Sequence, residues 1–158
     1  MDIKSTEKYL ETIMNQFSNN YKKGNTMYQE DVKEDVKKVV KFVNAKADPA
    51  KIWEDAWKTA VKAVDDYMVG KEEPMYCGFA NVSIRPARGK FVTYLKKQGI
   101  GDSGWNGGYR ISYYDIMPPV HKYRHTQSMD IKEVACDAFA KVLENQYGLT
   151  AYSESRAD

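Results

Sequence analysis

Long apolar runs are missing from this chain. Hydrophobic side chains follow one another for only two or three residues at a time, as in Ile116-Met117, whereas a helix that spans a bilayer needs about 20. Transmembrane helices are thereby excluded. The opening Met1-Asp2-Ile3-Lys4-Ser5 has no basic stretch leading into an apolar core, so no secretory signal is expected. Cysteine is scarce: Cys77 and Cys136 lie far apart and belong to no C-x-x-C pair. Two buried thiols in a cytosolic chain are the expectation, although spacing alone leaves a disulfide open. Charge of one sign is also lacking, with 24 basic residues against 22 acidic and a net +2. A mimic of DNA, which depends on dense negative charge, is excluded on that ground.

What is present suits a globular fold. Hydrophobic residues make up 42% of the 158 and charged residues 29%, far from the composition of a disordered chain. The small net charge is unevenly spread. Through Glu72 there are thirteen residues of each sign, whereas Arg85 to His125 holds eight basic residues against Asp102 and Asp115, or +6.

The first seventy or so residues read as three helices. Tyr9, Leu10, Ile13, Met14, Phe17 and Tyr21 recur at helical spacing, and Val32, Val36, Val39, Val40 and Val43 make a second stripe. Asp48-Pro49 then supplies an N-cap with proline at the first helical position, ahead of Ile52, Trp53, Ala56, Trp57, Ala60, Val61, Val64 and Met68. Lys71 to Pro74 reads as a linker between a helical region, 1–72, and a second domain, 75–158.

Beyond Pro74 the periodicity changes. Tyr76 to Ile84 predicts a strand, Arg88 to Gln98 a short helix stopped by Gly99, and Tyr109 to Ile116 an alternating strand. Val120 to His125 follows the Pro118-Pro119 break as a weaker strand. Ser128 opens a helix with Ile131, Val134, Ala135, Ala138, Phe139, Val142, Leu143 and Tyr147 on one face, and Leu149 to Ser155 is a final strand. The expected fold class is α+β, a helical N-terminal region followed by a ferredoxin-like (split βαβ) sheet of three to four strands with two crossover helices.

Several motifs fail on context. Gly101-Asp102-Ser103-Gly104 has the letters of a serine nucleophile turn, but both histidines follow the serine, against the order that chemistry takes on the trypsin-like fold. Gly99 to Gly104 matches G-x-G-x-x-G yet follows a helix and enters a strand, the reverse of a dinucleotide site. His121 and His125 flank Lys122-Tyr123-Arg124, whose positive charge disfavours a cation, and the ligand count falls short of a zinc site. No catalytic residue, metal or cofactor is expected. The polar cluster left to an enzyme of unfamiliar type is Asp102, Ser103, His121 and His125.

The candidate binding residues are Arg85, Arg88, Lys90, Arg110, Tyr113, Tyr114, Lys122, Tyr123 and Arg124. Cations alternating with aromatics suit phosphate contact and base stacking, and equally a protein interface, where tyrosine and arginine are enriched. The aromatic octapeptide of an RNA recognition motif is absent.

Four segments carry a resemblance: Gly78-Phe79-Ala80-Asn81-Val82, Pro86-Ala87-Arg88-Gly89-Lys90-Phe91, Ser128-Met129-Asp130-Ile131-Lys132-Glu133 and Ser155-Arg156-Ala157-Asp158. Together they resemble small accessory proteins of bacteriophages and other mobile elements, over the C-terminal half only. The resemblance implies a viral protein in the cytoplasm of a host cell, acting as an inhibitor of host machinery of the anti-CRISPR kind. The expected partner is a host protein, such as a nuclease or nucleoprotein complex, bound by protein–protein contact. A small nucleic-acid-binding module using segment 85–125 is the alternative, and no membrane is involved.

Overall fold

The computed structural model describes residues 47–158, together with Thr12. The two expected helices carrying the Tyr9–Tyr21 and Val32–Val43 stripes lie outside the described residues. The third forms as α1, Pro49–Met68, where Asp48 accepts the Ala50 N–H at 3.0 Å and proline occupies the first turn. Ile52, Ala56, Ala60, Val64 and Met68, four apart, are its buried line. Its solvent side carries Lys51–Asp55, Glu54–Lys58 and Lys62–Asp66 ion pairs at the i,i+4 spacing, exposed pairs that water screens and that add little to stability.

The remaining elements are β1 (Gly78–Arg85), α2 (Lys90–Gln98), β2 (Asp102–Ser103), β3 (Tyr109–Ser112), the single turn α3 (Tyr113–Ile116), α4 (Met129–Asn145) and β4 (Thr150–Ala157). Gly99 closes α2 in the left-handed conformation, φ 68°, where a side chain would be strained. The four strands form one antiparallel open sheet in the order β2-β3-β1-β4.

Two expectations about strands are corrected. Val120 to His125 is not a strand: its backbone is satisfied locally, with His121 N–H on the Pro118 carbonyl (3.0 Å), Arg124 N–H on His121 (3.0 Å) and Thr126 N–H on Tyr123 (3.1 Å). The sheet position is taken instead by Asp102–Ser103, inside the glycine-rich turn. The strand expected over Tyr109 to Ile116 stops at Ser112. There Ser112 Oγ accepts the Asp115 N–H (3.2 Å) and the Asp115 carboxylate accepts the Ser112 N–H (2.9 Å), a reciprocal cap that starts α3.

The register sorts side chains onto two faces. Ala80, Val82 and Ile84 of β1 stand beside Ile111 and Tyr109 of β3 and Ala151 of β4, all buried. Phe91, Val92 and Leu95 of α2 and Ile131, Ala135, Phe139 and Leu143 of α4 complete that core. Helix α1 packs in turn on α4, with the Trp53 ring edge-on to Phe139 at 5.3 Å between centroids and the Tyr147 hydroxyl donating to Asp55. α1, which sequence periodicity assigns to the N-terminal region, therefore shares a compact unit with the sheet, Lys41–Asp158. Cys136 is buried as expected, and burial pushes its thiol well above the ordinary value. Cys77 is exposed instead, and both thiols are free. Among the described residues no helix is long and apolar enough to cross a membrane.

Candidate functional site

The second face of the sheet carries Phe79, Asn81, Ser83 and Arg85 of β1, Arg110 and Ser112 of β3, and Tyr152, Glu154 and Arg156 of β4, by the alternation opposite the core positions. A concavity of about 750 Å³ opens on it. Its floor is formed by Phe79, Asn81, Arg110 and Glu154, and its walls include Trp105, Tyr114, Lys132 and Arg156. Cross-strand contacts set the floor: Arg110 grips Asp102 with two bonds of 3.0 and 2.8 Å, and Asn81 Nδ2 donates to Glu154 at 3.2 Å. The Asp102 carboxylate holds the Arg110 guanidinium above its ordinary pKa.

Two glycines permit this geometry. A Cβ on Gly101, at φ 78°, would stand 2.4 Å from the Arg110 carbonyl oxygen, so β2 reaches β3 only with glycine there. A Cβ on Gly78 would meet Met129 Sδ at 2.6 Å and the Arg156 carbonyl at 2.7 Å, where the start of α4 meets the β1–β4 ladder.

Lys132 organises one wall. It is 1% exposed, although it lies on α4 among hydrophobic neighbours. Its ammonium donates to the Gly78 carbonyl at 2.6 Å and lies 5.3 and 5.4 Å from the ring centres of Phe79 and Tyr114. Ring faces are electron-rich and attract a desolvated cation, so Lys132 holds both rings in place. Arg156 lies 5.4 Å from the Phe79 ring on its own account. Trp105, in the glycine-rich turn between β2 and β3, is 93% exposed on the rim.

Of the nine expected binding residues, the concavity contains Arg110, Tyr113 and Tyr114. The others are dispersed. Arg85 sits at the end of β1, 5.9 Å from the Tyr152 ring, and Arg88 and Lys90 are exposed where the chain turns into α2. Lys122, Tyr123 and Arg124 belong to the turns before α4. Besides Arg110, held by Asp102, two of the nine are tied to main-chain carbonyls. The Tyr113 hydroxyl, which burial pushes far above its ordinary pKa, donates to the Tyr123 carbonyl at 2.7 Å. The Arg124 guanidinium donates to the carbonyls of Tyr114 and Met117 at the end of α3.

The polar cluster Asp102, Ser103, His121 and His125 is not assembled. Asp102 is engaged by Arg110, whereas His121 Nε2 meets Asp65 of α1 at 3.0 Å and its Nδ1 accepts the Tyr123 N–H at 3.2 Å. An accepting Nδ1 puts the ring proton on Nε2, donated to Asp65. Among the described residues no three His, Cys, Asp or Glu side chains converge as metal ligands.

Sequence reasoning missed Trp105, Phe79, Lys132, Glu154 and Arg156. For Trp105 a signal was available: a tryptophan between Gly104 and Gly107-Gly108 has no neighbouring periodic stripe to bury it. Comparison with protein-family models, curated proteins and solved structures finds no match for this chain.

Proposed function

We propose that this chain is a non-enzymatic binding protein that docks a partner protein on the open face of its sheet, with Trp105 as the anchor. The observation that carries this reading is the exposed indole on the rim of a concavity where charges balance. Three cations, Arg110, Lys132 and Arg156, face three carboxylates, Asp102, Asp115 and Glu154. A lone exposed tryptophan beside ordered aromatic walls has the character of an interface hot spot. Interleaved charges of both signs specify a complementary protein surface, whereas a phosphate backbone calls for an uninterrupted basic track. Arg110 and Arg124, the centre of the basic segment, are already engaged by Asp102 and by main-chain carbonyls.

The architecture is read as ferredoxin-like (split βαβ). Its support is the element sequence β1-α2-β2-β3-α4-β4 combined with the strand order β2-β3-β1-β4. The biological setting proposed is that of a phage or mobile-element protein that inhibits host machinery such as a defence nuclease. Its support is the likeness of the four C-terminal segments to such accessory proteins.

The test is capture from bacterial host lysate, with and without nuclease treatment, by the full chain and by Trp105→Ala. A partner retained after nuclease treatment and lost with Trp105→Ala is the expected result. Sub-micromolar binding of nucleic acid that weakens steeply with salt would overturn it in favour of the nucleic-acid module.

A further inference from the structure

The strand β4 is an edge of the sheet, paired along its whole length with β1 from Gly78↔Ala157 to Arg85↔Thr150. Beyond its end the Asp158 N–H donates to the Cys77 carbonyl at 3.2 Å. In an antiparallel ladder the residues that bond inward alternate with those that bond outward. Even-numbered residues of β4 therefore bond to β1, and Ser153, Ser155 and Ala157 turn their N–H and C=O groups outward. No described backbone group accepts or donates to them. Of the usual protections of an edge, β4 has only the charges of Glu154 and Arg156; it contains neither lysine nor proline, and its register with β1 runs without a bulge.

We infer that this edge pairs with a second copy of the same chain, β4 against β4, antiparallel about a dyad at Ser155. The reason is the charge pattern of the strand. With Ser155 facing Ser155, Glu154 stands opposite the partner's Arg156 and Arg156 opposite the partner's Glu154. Both pairs project from the open face of the sheet, because facing residues of antiparallel strands share a face. Both also occupy the non-hydrogen-bonded sites, where opposed side chains come closest. Centring the dyad on Glu154 or on Arg156 instead sets like charges face to face. Ser153, Ser155 and Ala157 then exchange the main-chain bonds, while the Ser153 and Ser155 hydroxyls stay donated to Asp137 and Glu133 of α4 within each chain.

The ladder covers residues 152–158 of each chain, less than an obligate interface requires, so the dimer forms and dissociates with concentration. Its dyad is perpendicular to the sheet. Four strands become eight, and the two concavities, each lined by Glu154 and Arg156, lie side by side on one surface.

Sedimentation velocity on the full chain, from about 1 to 300 µM, tests the pairing without reference to any other partner, so its failure leaves the binding reading above intact. The wild type is expected to pass from monomer to dimer over that range. Glu154→Arg alone, or Arg156→Glu alone, turns both cross-chain pairs into like charges and weakens the dimer about tenfold or more. The exchange Glu154→Arg with Arg156→Glu restores it to within about threefold of wild type. The exchange still lacks the Asn81–Glu154 and Arg156–Phe79 contacts within the chain, so restoration isolates the contacts between chains. Circular dichroism and melting temperature establish that each variant is folded. A wild type that stays monomeric to 300 µM, or an exchange no better than the single variants, overturns the inference.

Discussion

Arg110 and Arg124 look alike in a basic, tyrosine-rich stretch, yet their surroundings give them different work. Arg110 lies on a strand and pairs with a carboxylate at the floor of the concavity. Arg124 folds back onto the Tyr114 and Met117 carbonyls, which no other described donor reaches on that side of the turn. Removing its guanidinium leaves polar groups short of partners. Arg124→Ala is therefore expected to lower stability by about 1–3 kcal/mol, measured by urea unfolding. Trp105→Ala, which uncovers nothing, is expected to stay within about 0.5 kcal/mol of wild type. Equal losses for the two would contradict these roles. Residue type was legible in the sequence, but the engagement of each side chain was not. Arg124 meets carbonyls brought near by a turn, and Lys132 meets rings from β1 and α3.

Helices α1, α2 and α4 were legible because each carries its own information: a buried stripe in all three, a capping side chain at Asp48 and Ser128, and the Gly99 stop of α2. Strands depend on partners. β2 has two residues and no periodicity, and exists only through pairing with Ser103↔Tyr109 and Asp102↔Arg110. Between helices, the clasp of α1 to the end of α4 depends on Tyr147 donating to Asp55. That bond is the main cause holding the Asp55 carboxyl below its ordinary 3.8, against a smaller opposing effect of burial and with help from Lys51 and Lys58. Tyr147 is pushed up to about 12, chiefly by burial and then by Asp55. An acid with a lowered pKa stabilises the fold above its unfolded value and loses that contribution as pH falls through the folded one. A raised phenol stabilises below its unfolded value of 10.0 and loses the contribution as pH rises through about 12. Tyr147→Phe is accordingly expected to cost about 1 kcal/mol throughout the neutral range. Its difference from wild type should shrink as pH falls below 3.8 and as pH rises from 10.0 through about 12. Unfolding curves across pH measure this, and a pH-independent difference would show that the pair contributes only packing.

At the scale of the molecule, Lys71 to Pro74 separates two periodicities without separating two cores. Ile52, Ala56, Ala60 and Val64 of α1 join the cluster that contains Phe139 and Leu143 of α4. Truncation before residue 75 exposes the α4 surface beneath them, and burial of each such aliphatic or aromatic side chain contributes about 1.5–3 kcal/mol. A chain starting at residue 75 is expected to lose cooperative thermal unfolding, whereas one starting at residue 41 retains it. Calorimetry on the two distinguishes these outcomes, and a cooperative transition in the shorter chain would return α1 to a separate region.

By itself the sequence determined the class of the molecule, mixed helix and sheet, and the positions of α1, α2 and α4. Those features rest on contacts between neighbours in the chain, on Asp48 capping its own helix and on residues repeating every third or fourth position. Only the tertiary structure decided which segment fills the edge beside β3, which arginines remain available, and that Phe79, Trp105, Lys132 and Arg156 share a concavity. These depend on groups far apart in sequence meeting in space, and side-chain type alone carries no record of such meetings.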